Sequence, residues 1–149
     1  MAMTRMFAVG DAIPPISKTM TQDAINLFEK SGGKEGPSQF TDEATAQGVL
    51  GTRGTVASGR MSLTFATELL RRFFGPEIYN RGGMVDLRFL RPVRPGDTVT
   101  FAGKITGIDK VTNGGRVAVE ISATNQKGDT TAAGTGACIV PSLSLPAEE

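Results

Sequence analysis

The chain predicts an α+β domain, and three observations carry that prediction. First, Met61, Phe65, Ala66, Leu69, Leu70 and Phe73 recur at helical spacing through a stretch that Gly75-Pro76 closes. Second, apolar and polar residues alternate in four segments from Met84 onward. Third, Arg94-Pro95-Gly96-Asp97, Asn113-Gly114-Gly115 and Lys127-Gly128-Asp129 punctuate those segments as turns. Helical elements come first and four antiparallel strands follow, with one long apolar helix available to be covered by them.

The elements follow in order. Residues 1–15 form a lead-in that ends at the Pro14-Pro15 break, and Ile16 to Met20 reads as a short extended piece. Thr21 caps a short helix, Gln22 to Lys30, with Ala24, Ile25, Leu27 and Phe28 on its apolar side. Gly32-Gly33 ends it and begins a polar loop. Asp42-Glu43, before Ala44, Thr45 and Ala46, places acidic residues in the first turn of another short helix. The long helix is expected over about Gly59 to Phe74, with Ser58 as its N-cap and Arg71-Arg72 at its negative end. Met84 to Leu90 reads as a strand stopped by Pro92. Thr98 to Ile105 alternates, and Arg116 to Asn125 places Val117, Val119, Ile121 and Ala123 on one face. The last strand, Thr130 to Val140, is built of small residues that favour close packing of a helix on the sheet. The chain thus reads as one domain over 1–149, with a core of about 7–140 and a loose tail over 141–149.

Composition excludes several function classes. Sixteen basic and fifteen acidic residues leave a formal net charge of +1, and no basic stripe interleaves with aromatics, so nucleic acid is not an expected partner. No apolar stretch approaches the ~20 residues that span a bilayer. The single cysteine, Cys138, lies in an apolar run of small residues and reads as a buried hydrophobe suited to a reducing cytoplasm. There is no histidine. That removes the commonest general base, every Ser-His or Cys-His pair and most zinc sites. No metal or cofactor is expected. Chemistry must rest on carboxylates, lysines, Tyr79, hydroxyls or backbone dipoles.

The polar loop carries Glu35, Gln39, Thr41 and Asp42, and it leads into Thr55-Val-Ala-Ser58-Gly59 at the start of the long helix. A helix N-terminus facing a polar loop presents N–H groups to developing negative charge, which makes the Gly59 amide a candidate oxyanion donor. Ser58 has no base beside it in the sequence, which argues against a covalent nucleophile. Arg53, Arg60, Arg88, Arg91 and Arg94 are candidate anion contacts, each of them equally consistent with a solvated surface.

Val9-Gly10-Asp11, Thr21-Gln-Asp23-Ala-Ile-Asn-Leu-Phe28, Val56-Ala57-Ser58-Gly59 and Phe89-Leu90-Arg91-Pro92-Val93-Arg94-Pro95-Gly96-Asp97 together resemble a MaoC-like acyl dehydratase of the hotdog fold. The resemblance extends over roughly residues 7 to 140. It implies a single hotdog domain, a curved antiparallel sheet wrapped around the central helix. It also implies a homodimer or paired hotdog subunits, joined sheet edge to sheet edge. The implied activity is hydration of an enoyl thioester of coenzyme A or acyl carrier protein, or the reverse dehydration, with the thioester channel at or near the interface.

The family's loop motif Asp-x-Asn-Pro-x-His-x-Asp is altered here. Anchored on Thr41-Asp42, it sets Glu35 at the first Asp and Phe40 at the His; shifted by one, it sets Lys34 and Gln39 there. The resemblance therefore implies Glu35, Ser58 and Gly59 as catalytic residues, with Gln39, Phe40, Asp42, Arg60 and Arg91 contacting substrate. A non-catalytic subunit that binds thioester or supports a catalytic partner is the first alternative. A thioesterase using Glu68, or a hotdog recruited to another conjugated ligand, is the next.

Overall fold

The computed structural model describes residues 6–33, 36–51 and 54–146, Leu143 through its backbone alone. Strand β1 (Ala12–Thr19) leads to helices α1 (Gln22–Ser31), α2 (Glu43–Leu50), α3 (Gly59–Phe74) and α4 (Pro76–Asn80). Strands β2 (Met84–Phe89), β3 (Thr98–Val111), β4 (Gly114–Thr124) and β5 (Thr130–Pro141) follow. They build one antiparallel sheet in the order β1-β3-β4-β5-β2. The α+β expectation holds, and α3 has the anticipated bounds. Two elements exceed the sequence reading. The extended piece before α1 is a full edge strand on β3, and α4 follows α3 directly, with Pro76 at its first position, where the missing N–H costs nothing. Pro14-Pro15 sits at an irregularity in the β1–β3 register, between Ile13 and Ile16, where no ladder donor is needed.

The core lies between α3 and the sheet. Met61, Ala66, Leu69, Leu70, Phe73 and Phe74 are buried along the helix. They meet Val99, Phe101 and Ile105 of β3 and Val117, Val119, Ile121 and Ala123 of β4. Each large apolar side chain removed from water in this way contributes about 1.5–3 kcal/mol. Aromatic edges lock the layers together: Phe65 stands 5.9 Å from Phe101 at 61°, and Phe7 closes on Phe73 and Phe74 at 5.5 and 5.1 Å. The small residues of β5 permit this approach. A Cβ on Gly136 would stand 2.6 Å from the Leu70 Cδ1 atom and 2.9 Å from the Met84 carbonyl.

Three local readings change. The turn between β3 and β4 is Thr112-Asn113, with Asn113 at φ 65°, so Gly114 begins β4 rather than completing the turn. Its lack of a side chain serves packing, because a Cβ there would run into the Val140 carbonyl. On α1, Leu27 is exposed, and the buried face is Ile25 with Glu29, one turn apart. Beyond β5, where the sequence suggests a loose end, a 3₁₀ turn spans Ser142–Ser144, the Phe7 amide donates to the Ser144 carbonyl at 2.8 Å, and Leu145 packs on the core.

Candidate functional site

The segment entering α3 is pinned from three sides. From α1, Gln22 accepts a hydrogen bond from the Thr55 hydroxyl at 2.6 Å and donates to the Phe40 carbonyl at 2.9 Å. From the β2–β3 turn, the Arg94 guanidinium donates to the Gly54 carbonyl at 2.8 Å, while the Ala57 amide donates to the Val93 carbonyl at 2.8 Å. From the polar loop, the Gln39 carbonyl accepts from the Val56 amide at 3.2 Å. Asp97 holds the Arg94 amide at 2.9 Å, so the Pro-Gly-Asp turn identified in the sequence serves to aim Arg94.

The result is a pocket of about 550 Å³ at the N-terminus of α3, within the usual size of small-molecule sites. Its floor is Ser58, Gly59 and Ser62. Its walls come from Val56, from Phe89 through Arg94, from Leu50 at the end of α2 and from Thr131 of β5. Ser58 occupies the N-cap position, yet its side chain makes no capping bond, contrary to the expected role. Its Oγ is buried and has no hydrogen-bond partner among the described residues. A buried hydroxyl left this way carries a desolvation cost that a ligand atom would remove. The Met61 amide already donates to the Ser58 carbonyl at 3.0 Å, and the amides before it have no acceptor within the helix, so this floor favours a carbonyl oxygen or an oxyanion at Gly59. Arg91 and Arg94 are the charged residues of the described lining, and no carboxylate is among them.

Of the residues expected at the site, Ser58, Gly59 and Arg91 meet here. Glu35, Lys34 and Arg53 lie outside the described residues. Phe40 is partly buried against the core, with its carbonyl taken by Gln22. Gln39 contributes its backbone carbonyl to the entrance segment. Asp42 caps α2, accepting from the Thr45 hydroxyl at 2.7 Å and the Thr45 amide at 2.8 Å. Those two bonds hold its pKa below the ordinary carboxylate value, the hydroxyl contributing most. Arg60 turns away from the pocket to donate to Glu29 at 2.9 Å. Glu68 is held by Lys18 at 3.0 Å and Arg72 at 3.1 Å, on the β1 side of α3.

Ser62, Phe89 and Glu29 were missed by sequence reasoning. Ser62 follows Ser58 by one helical turn, a polar residue on the buried stripe, and that spacing was a readable signal. Glu29 stands in the same relation to Ile25. Phe89 carried no signal, because its place depends on the β2–β5 pairing that sets it opposite Ala132. Burial pushes the Cys138 thiol up to about 12, which leaves it chemically inert. Among the described residues no three Asp, Glu or Cys side chains gather to hold a metal, and no helix is long and apolar enough to cross a membrane.

Comparison with known proteins agrees with this geometry. The chain resembles a subunit of the ChsH1–ChsH2 complex from Mycobacterium tuberculosis at 18% identity, covering 91% of this chain and 100% of that one, with a TM-score of 0.72. A MaoC-like dehydratase from Rhodospirillum rubrum matches at 23%, covering 91% and 93%, with a TM-score of 0.73. The (R)-hydratase from A. caviae involved in PHA biosynthesis matches at 20%, covering 91% and 98%, with a TM-score of 0.71. Identities this low speak to the hotdog fold alone. No curated protein sequence matches the chain. The family model described as MaoC like domain matches residues 8–127, most of the sheet and all of the pocket except Thr131, and the chain therefore belongs to the MaoC-like domain family.

Proposed function

We propose that this protein is a MaoC-like (de)hydratase of acyl thioesters, acting on an enoyl or 3-hydroxyacyl group carried by coenzyme A or acyl carrier protein. The observation that supports it is the α3 N-terminus opening into a pocket beside the unpartnered Ser58 hydroxyl. In hydration, water adds its oxygen to the β-carbon and loses a proton to a base. The electron pair of the double bond moves to the thioester oxygen as an enolate, and a proton is then delivered to the α-carbon. The enolate oxygen lodges at the Gly59 amide and the Ser58 hydroxyl; loss of one such donor costs about 3 kcal/mol of barrier. The proton-transfer group is assigned to Glu35, which reaches the required range if burial raises its pKa. Arg91 meets the phosphates of the carrier.

A second reading is favoured by one observation. The described lining offers hydroxyls and guanidinium groups but no carboxylate, lysine or tyrosine, which suits a subunit that binds thioester while a paired hotdog chain supplies the acid–base groups. Among the described residues strand β2 pairs only with β5 and leaves its other edge open for such a partner, in the manner of paired subunits. The ChsH1–ChsH2 complex is an assembly of two named components.

The test is to follow crotonyl-coenzyme A by the absorbance of its conjugated thioester. Loss of absorbance without thiol release, abolished by Glu35→Gln, supports the (de)hydratase. Thiol release would redirect the assignment to a thioesterase. Saturable thioester binding without turnover supports the paired-subunit reading, and absence of both binding and turnover overturns the two together.

A further inference from the structure

Phe89 is a large apolar side chain in an unusual position. It ends the edge strand β2 and is 53% exposed, yet its ring rests on the first residue of α3. A Cβ on Gly59 would stand 2.7 Å from the ring Cε2 atom, 2.8 Å from Cζ and 3.2 Å from Cδ2. Real Cβ atoms do not approach that closely, so Gly59 is the residue that lets the ring seat itself there. Among the pocket's walls, Val56 and Val93 are buried and the Arg94 backbone is tied to Asp97. Phe89 has no such anchor. Its backbone is fixed by pairing with Ala132, while its side chain is half-exposed and held by the contact of its ring with Gly59.

We propose that Phe89 determines the size of the acyl group this pocket accepts. Its ring takes up space above the α3 N-terminus that an acyl chain needs once the thioester oxygen is lodged at the Gly59 amide. With the ring seated, short acyl groups fit, and longer ones require the ring to move off the α3 N-terminus. The inference rests on the acyl-thioester reading of the pocket, and it assigns Phe89 to specificity rather than to chemistry.

The experiment measures dissociation constants of saturated acetyl-, butyryl- and octanoyl-coenzyme A by calorimetry for the full chain, for Phe89→Ala and for Phe89→Trp. The readout is the ratio of octanoyl to butyryl affinity within each protein, which a merely structural role of Phe89 would leave unchanged. Phe89→Ala raises that ratio about tenfold or more, in keeping with the discrimination a methylene or two gains in an apolar pocket. Phe89→Trp lowers it. Gly59→Ala displaces the ring from the other side and moves the ratio in the direction of Phe89→Ala. Ratios within about twofold of the parent chain in both Phe89 variants overturn the size-selection inference while the thioester reading stands. Failure of every protein, parent included, to bind any of the three thioesters overturns the thioester reading and this inference with it.

Discussion

Removing Arg60 destabilises this protein far more than removing its partner Glu29, and the asymmetry follows from where the two charges sit. The Glu29 side chain is 2% exposed, the Arg60 side chain 50%. One Glu29 oxygen accepts from Arg60 at 2.9 Å and the other is buried with no partner among the described residues. Breaking a buried ion pair costs about 3–5 kcal/mol, because the remaining charge is stranded away from water. Arg60→Ala strands the buried carboxylate, and the space vacated at the surface admits some water, so about 3 kcal/mol is expected. Glu29→Met leaves a guanidinium already half in solvent and replaces an incompletely satisfied carboxylate with an apolar chain of similar size. That variant is expected within about 1 kcal/mol of the parent. The double variant then matches Glu29→Met rather than summing the two losses. Urea denaturation at fixed protein concentration reads the difference as a midpoint drop of about 1–2 M for Arg60→Ala. Equal losses for the two single variants would refute the reasoning, since they would mean that the pair's Coulomb energy rather than the buried carboxylate sets the cost.

Two further outcomes are expected. Gly136→Val forces a side chain against the fully buried Leu70, 2.6 Å from the first added carbon, and lowers stability by about 1–3 kcal/mol in thermal or urea unfolding. An unchanged midpoint would show that α3 is not packed directly on β5. The second concerns acid. Asp42 has a folded-state pKa below the ordinary aspartate value of 3.8, so its contribution is present above pH 3.8 and is lost as pH falls through the lowered value. Asp42→Asn therefore removes part of the acid-side slope of stability against pH, and an identical slope in the variant would overturn that assignment.

How much of this was legible in the sequence depends on the range of the interactions. Helix α3 was fully readable, because Met61, Ala66, Leu69, Leu70 and Phe73 share one stripe and Gly75-Pro76 stops the chain. Strand β4 was readable for the same reason at period two. Edge strand β1 was understated since Pro14-Pro15 argues locally against a ladder, and only the pairing with β3 accommodates them at an irregularity. The helix-terminus pocket was anticipated through Ser58 and Gly59, both local to one turn. Arg60 was expected at the substrate as an anion contact, but a helix advances its side chains by about 100° per residue. One step beyond Gly59 already faces α1 and finds Glu29. Phe89 is distant in sequence from Gly59, and no periodicity connects them.

The histidine-free composition and the pocket's construction bear on each other. Everything that would hold a carbonyl is built from backbone and short hydroxyl side chains, and it is braced by Gln22 from outside the pocket and by Arg94 from its wall. Donors of that kind need no titration, so they work at any pH at which the fold stands. Proton transfer is different: it needs a group whose pKa lies near the working pH, and the described lining contains none. The two halves of the chemistry are thus separable in this chain. On the proposed (de)hydratase reading, a pocket so arranged would stabilise an enolate wherever its base comes from, whether from Glu35 or from a chain docked along β2. The decisive comparison is therefore between turnover by the chain alone and turnover in the presence of a paired hotdog subunit, with Ser58→Ala lowering the rate in either setting and Glu35→Gln only in the first.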